Sequence, residues 1–175
     1  MFQVRKVERS AFGSASLKSR KHYSNMEISW QLVFFDALTP AQLYAVMRLR
    51  SEVFVVEQNC VYLDADDKDQ QSWHLMGWQG QKLAAYSRLL PPGLSYPSAS
   101  IGRVMTAPEF RRTGAGRELM RRAIAEVETL FGTRQISIGA QLYLKRFYES
   151  LGFKQSGEAY LEDNIPHIPM DFRDL

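Results

Sequence analysis

The segment Val104-Met105-Thr106-Ala107-Pro108-Glu109-Phe110-Arg111-Arg112-Thr113-Gly114-Ala115-Gly116 has the residue types and spacing of an anion-binding junction. An extended stretch leads into a turn, and the turn opens an amphipathic run with Leu119, Met120, Ala123, Ile124, Val127 and Leu130 on one face. The first N–H groups of a helix lack internal partners and carry the positive end of its dipole, so a pyrophosphate is stabilised there. Gly114 and Gly116 remove side chains that would block close approach, and Arg111 and Arg112 add positive charge. Two other phosphate loops are excluded. A Walker loop needs Lys-Ser/Thr where Arg117-Glu118 stands, and a dinucleotide fingerprint needs a third glycine where Leu119 stands. On these residues alone, a glycine-rich helix start without a ligand stays open as the alternative.

The elements around the junction follow from periodicity. Ile28, Trp30, Leu32 and Phe34 alternate as a strand does. Thr39-Pro40-Ala41-Gln42 reads as a capping box with proline at the first helical position. The helix it opens, with Leu43, Val46, Met47, Val53 and Phe54 as its stripe, is expected to reach about Val56. A hairpin is expected over 73–78 and 82–90 around Gln79-Gly80, then a strand over 99–106 and a helix over 114–131 stopped by Gly132. A short strand over 135–139, a helix over 141–151 stopped by Gly152, and strands near 153–160 and 167–172 complete the chain. The resulting order, β-α-β-β-β-α-β-α-β-β, is not that of a doubly wound nucleotide fold.

Length and charge narrow the classes. The 175 residues suit one domain, and no apolar run approaches the roughly 20 residues that span a bilayer. The net charge of +3 is unevenly placed: residues 1–25 hold Arg5, Lys6, Arg9, Lys18, Arg20 and Lys21 against Glu8 alone. That surplus of five leaves the rest of the chain at −2, which argues against a nucleic-acid-binding body. Three readings of residues 1–25 stand: an extension ahead of a natural start at Met26, a solvated basic tail, or a transit peptide. Cys60 is the only cysteine, so an intrachain disulfide and a thiolate metal cluster are both excluded. A reducing, cytoplasmic compartment is the expectation.

Arg111-x-x-Gly114-x-Gly116 matches the Gln/Arg-x-x-Gly-x-Gly/Ala motif of the GNAT superfamily of N-acetyltransferases. Downstream, the helical run Gln141 to Leu151 with Tyr148, followed by Gly152-Phe153, matches that family's second motif in order and spacing. The resemblance covers roughly residues 28–172. Phe54 to Asp64, Asp66, His74-Leu75, Ile101-Gly102-Arg103-Val104 and Glu162 to Ile168 are similar to the ElaA-like subgroup. Val61 stands where the pattern has proline, and Arg112 and Asn164 where glycine is common.

The resemblance implies a single mixed α/β domain over residues 26–175. Its sheet is splayed between the fourth and fifth strands, flanked by helices, with acetyl-CoA in the gap. It implies direct acetyl transfer from the CoA thioester to an amine, without a metal. The backbone of Val104, Met105 and Thr106 would pair with the pantetheine arm, and Arg111, Arg112, Thr113, Gly114, Ala115 and Gly116 would hold the pyrophosphate. Gln141 falls where relatives carry an asparagine that contacts the cofactor. Tyr148 would protonate the departing thiolate, its alternative being a core tyrosine on the stripe Leu144, Phe147, Leu151. Lys145 and Arg146 either reach the ribose phosphate or form a solvated face. An amine that titrates near about 10.4 must first lose a proton. The candidate bases are Glu57, His74 and His167, with water as the alternative. Cys60 reads as a small buried hydrophobe rather than an acyl carrier. The acidic loop Asp64, Asp66, Asp67, Asp69 lacks the glycine and the bidentate glutamate of a calcium loop and reads as solvated or substrate-facing. A non-catalytic acyl-CoA-binding or interaction module on the same fold is the rival function. Monomer and homodimer are equally open.

Overall fold

The computed structural model describes residues 27–173; the basic tail over residues 1–25 lies outside them. Eight strands and three helices are present: β1 Ser29–Phe34, α1 Pro40–Arg50, β2 Trp73–Gln79, β3 Lys82–Leu90, β4 Ser100–Thr106, α2 Ala115–Phe131, β5 Ile136–Gln141, α3 Lys145–Glu149, β6 Lys154–Gln155, β7 Tyr160–Glu162 and β8 Ile165–Phe172. Strands β1 to β4 form an antiparallel meander. In the second sheet β8 lies between β5 and the pair β6 and β7. The two sheets join at a parallel bridge between Ala99 and Ile136, reinforced by Ser137 N–H donating to the Ala99 carbonyl at 2.9 Å. Beyond that bridge β4 and β5 diverge into separate sheets. This is the mixed sheet, open between its fourth and fifth strands, that the sequence resemblance implies.

Two apolar clusters hold the strands. Leu119, Met120, Ala123 and Val127 of α2 pack on Leu75, Ala85, Leu89, Ile101, Ile136, Ile138 and Met170, so one helix closes both sheets. Val46 and Leu49 of α1, with Val53, pack on Met76, Ala84, Tyr86 and Met105 from the other face. Alternation along β3 serves both: Ala85 and Leu89 face α2, Ala84 and Tyr86 face α1. The capping box is formed, with Gln42 N–H donating to Thr39 Oγ1 at 3.2 Å and Thr39 N–H to Gln42 Oε1 at 2.9 Å.

Three elements differ from expectation. The first helix is regular only to Arg50, and Ser51–Glu57 continues it as a wider π-helical segment. The change falls directly after Arg50, whose side chain is drawn into buried ion pairs. The third helix is short, because β5 runs on to Gln141 and a 3₁₀ turn, Leu142–Leu144, precedes Lys145–Glu149. The strand expected near 153–160 is broken into β6 and β7. Between them Gly157 lies so close to β8 that a Cβ would sit 2.8 Å from Pro169 Cγ.

A two-residue turn joins β7 to β8, and both of its residues are left-handed: Asp163 at φ 50° and Asn164 at φ 63°. Such hairpin turns favour Asn, Asp and Gly for that reason. Asn164 therefore fills a glycine position at low cost. Asn164→Gly is expected to leave the urea-unfolding midpoint unchanged or higher, whereas Asn164→Val should cost about 1–3 kcal/mol.

Candidate active site

The divergence of β4 from β5 opens a cavity of about 540 Å³. One wall comes from Gly102, Arg103 and Val104 of β4, the other from Ile138, Gly139 and Gln141 of β5. The segment from Gln58 to Lys68 and the β7–β8 hairpin flank it, and Tyr148 and His167 both face it.

The strand–turn–helix junction forms where the sequence puts it. A 3₁₀ turn, Pro108–Phe110, buries Phe110 and ends at Arg111. Arg112 then turns left-handed at φ 64° and Gly114 at φ 95°, so α2 starts at Ala115. Arg112 thus occupies a position whose conformation suits glycine. Space around a Cβ at Gly114 is open, while one at Gly116 would lie 3.1 Å from Thr106 Oγ1. Gly116 therefore serves the close approach of α2 to β4, and Gly114 serves the turn. Arg117 donates to Ser150 Oγ at 2.8 Å and ties the first turn of α2 to the end of α3, which carries Tyr148.

The Arg111 guanidinium makes a two-pronged pair with Glu57 at 2.6 and 2.7 Å. Its hydrogen bonds, with its charge, hold the Glu57 carboxyl below the usual range against the opposing effect of burial. Glu57 lies outside the cavity lining, with a proton affinity lowered rather than raised. Gln141 Nε2 donates to Gln58 Oε1 at 3.1 Å across the gap. Lys145 is engaged by Gln155 at 2.7 Å. Cys60 is half-buried at the cavity, its thiol 3.6 Å from the Asp163 carbonyl.

The histidines separate. His74 is fully buried, bonded through Nδ1 to Tyr86 Oη at 2.8 Å and through Nε2 to the Asp69 carbonyl at 3.1 Å. His167 is half-buried at the cavity, stacked on Tyr160, with Nδ1 2.8 Å from the Ile165 carbonyl. A carbonyl only accepts, so Nδ1 carries the proton and Nε2 of the neutral ring has its lone pair free. Tyr148 is nearly buried against Phe147 and Phe153, and burial raises its phenol above the ordinary tyrosine value.

The acidic loop is only in part solvated or cavity-facing: Asp67 is exposed and Asp66 lines the cavity, but the other two aspartates turn inward. Asp64 and Asp69 are buried and share a lattice with Arg50, Arg88 and Arg103. Arg50, with no exposed surface, donates to Asp64 Oδ2 at 2.6 Å and Asp69 Oδ1 at 2.7 Å. Arg88, 2% exposed, binds both Asp66 oxygens at 2.6 and 2.7 Å and Asp69 at 2.8 Å. Arg103 joins Asp64 at 2.7 Å and Asp66 at 3.3 Å. Three arginines balance three aspartates, and only Asp66, Arg88 and Arg103 of the six line the cavity. Arg50 and Arg88 escaped the sequence reading. Their signal was a charge in phase with an apolar stripe, at Val46-x-x-Leu49-Arg50-x-x-Val53 and inside Leu83 to Leu90.

This fold and this junction define the class. The family model for the acetyltransferase (GNAT) domain matches residues 62–173. The chain belongs to the GNAT acetyltransferase family. It is 42% identical over 149 residues to a UPF0039 protein of Synechocystis, covering 85% of this chain and 97% of that one. It is 39% identical over 145 residues to protein ElaA of Escherichia coli, covering 82% and 95%. The crystal structure of Escherichia coli ElaA superimposes with a TM-score of 0.79, over 83% of this chain and 99% of that one, at 37% identity. An acyl-CoA N-acyltransferase from Pseudomonas aeruginosa gives 0.78 at 40% identity, over 82% and 99%. An aminoglycoside 6'-N-acetyltransferase, solved with coenzyme A, shares the fold at a TM-score of 0.60 and 17% identity, over 81% and 95%. Among the described residues no helix is long and apolar enough to cross a membrane.

The lattice and His74 fix the acid response. Burial alone would raise the Asp66 and Asp69 carboxyls, but hydrogen bonds and charge from Arg88, Arg50 and Arg103 outweigh it and hold both below the usual range. Burial lowers His74. A folded pKa below the unfolded one means that the unfolded chain binds more protons, so stability falls with falling pH. His74 contributes its loss as pH drops below about 6.5, and the aspartates theirs below about 3.9. Melting temperature should therefore decline in two stages from pH 7 to pH 3, and His74→Gln should flatten the upper stage alone.

Proposed function

We propose that this chain transfers an acetyl group from acetyl-CoA to an amine. The observation that carries the reading is the meeting, around one cavity, of the open edge of β4, Tyr148 and His167. The Arg111–Gly116 turn lies outside that cavity's lining, on the chain that leads from β4 into α2. The residues fit the cosubstrate. Gly114 leaves open space at a helix start that has no side-chain cap among the described residues, so its first N–H groups suit a pyrophosphate, with Arg112 beside it. The backbone of Val104, Met105 and Thr106 suits the pantetheine arm, and one of its N–H groups suits the developing oxyanion. Gln141 borders the same gap. Bound there, acetyl-CoA supplies an activated thioester carbonyl.

The chain's own groups then handle two protons. His167 lines the cavity, and its Nε2, which the Ile165 bond leaves unused, takes the proton from the incoming ammonium, directly or through water. Of the three candidate bases it is the one at the cavity. Glu57 serves Arg111, and His74 serves the core. Tyr148 holds its proton firmly, and its hydroxyl has no hydrogen-bond partner among the described residues, so it is free to donate to a thiolate. The desolvation that raises the phenol also raises the proton affinity of a thiolate beside it.

Thiol release from acetyl-CoA across a panel of amines tests the reading. Release is expected with at least one amine class. Binding of acetyl-CoA without release would leave an acyl-CoA-binding module. With an accepted amine, Tyr148→Phe should lower kcat by about a hundredfold with little change in CoA affinity or melting temperature. His167→Gln should also lower kcat about a hundredfold, and raising pH should partly restore it as the amine deprotonates unaided. Wild-type turnover in either variant would return that residue to a structural role.

A further inference from the structure

Strand β4 is not regular. Arg88 of β3 pairs with Gly102 and Tyr86 with Met105, so two steps on β3 face three on β4. Arg103 and Val104 share the place opposite Ser87, which is a bulge. Its extra residue is withdrawn from the ladder, and both Arg103 and Val104 line the cavity.

The bulge contains one left-handed residue, Arg103 at φ 52°. A long side chain is disfavoured there. Glycine would be the unstrained choice, yet glycine stands one position earlier, at Gly102. Gly102 does not have a left-handed φ, and a Cβ on it would meet only Leu90 Cδ1 at an ordinary 3.5 Å. Something other than local preference holds residue 103. Its guanidinium is gripped at three points: Nε by Asp64 Oδ1 at 2.7 Å, and Nη2 by the Asp64 carbonyl at 3.0 Å and Asp66 Oδ2 at 3.3 Å. Asp64 is fixed in turn by buried Arg50, and Asp66 by buried Arg88.

We infer that Arg103, anchored by Asp64, is a positioning residue that holds the β4 bulge open and so aims the backbone of Val104 and Met105 at the reacting carbonyl. The inference rests on the assignment of the cofactor arm to β4. The arginine does not touch the reacting atoms; it acts through the backbone it strains. If the grip were lost, β4 would gain by straightening, and backbone donors would return to β3.

Glycine at position 103 separates this role from every other. Arg103→Ala removes the grip and keeps the strain. Arg103→Gly removes the grip and the strain together. Both leave the same unbalanced charge on Asp64, so any general destabilisation is common to them. Calorimetry with CoA and steady-state kinetics on wild type, Arg103→Ala and Arg103→Gly should give a loss of about tenfold to a hundredfold in kcat/KM for the alanine variant. The glycine variant should return to within about threefold of wild type. Interstrand NOEs in unliganded protein should keep the Tyr86–Met105 and Arg88–Gly102 pairing in Arg103→Gly and lose it in Arg103→Ala. Equal impairment of both variants would give the guanidinium a direct role with substrate and overturn the inference, as would an alanine variant with wild-type register. If wild-type protein bound no CoA, the cofactor assignment would fall, while the register comparison would still decide what holds the bulge.

Discussion

Three arginines and three aspartates hold one side of this molecule together, with Arg50, Arg88, Asp64 and Asp69 buried and Arg103 and Asp66 partly exposed. Arg50 comes from the end of α1, Arg88 from β3, Arg103 from β4, and the aspartates from one short loop. Each charge alone would carry a desolvation cost of several kcal/mol, so the set is stable only as a set. Removing one member strands its partners, whereas the complete lattice fixes a helix, two strands and a loop in one geometry. Asp64, Asp66 and Asp69 turn inward because paired guanidiniums offset the loss of water, while Asp67 stays exposed. His74, hydrogen-bonded to Tyr86 and to the Asp69 carbonyl, extends the same polar seam into the apolar core.

The opposite constraint is the scarcity of contacts between β4 and β5. They share the Ala99–Ile136 bridge and then part, and the helix α2 that covers both sheets keeps them from separating further. A sheet that opens in mid-course exposes backbone donors and acceptors at its inner edges. Such an edge suits an extended ligand with its own amides, and a helix N-terminus at its end suits a phosphate. The lattice holds the β4 wall, and α3, tied to α2 through Arg117 and Ser150, holds the wall that carries Tyr148.

Local chemistry was legible in the sequence where one residue type has one dominant use. Thr39-Pro40-x-Gln42 predicts a capped helix start, Gln79-Gly80 a hairpin, and Gly132 a left-handed helix stop, because each depends on a few adjacent residues. The GNAT motifs were legible for the same reason, since a glycine-rich helix start binds anions by its own backbone. Long-range choices were not. Whether Asp64 meets water or Arg50 depends on a contact between residues 14 apart that periodicity does not encode. The same holds for the three histidine and glutamate candidates, alike as residue types and separated only by burial: His74 in the core, Glu57 on Arg111, His167 at the cavity. Arg112 and Asn164 looked like departures from the family pattern. They prove to be left-handed residues standing in for glycine, a fact about φ that residue identity alone does not carry.

The account turns on where coenzyme A sits, and a crystal structure of the chain with CoA decides that directly. The pyrophosphate should lie against the N–H groups at the start of α2, bounded by Arg112, Gly114 and Gly116. The pantetheine arm should run along Val104 to Thr106, with its sulfur facing the Tyr148 hydroxyl. CoA bound away from the gap between β4 and β5, or seated there with its sulfur remote from both Tyr148 and His167, would contradict it.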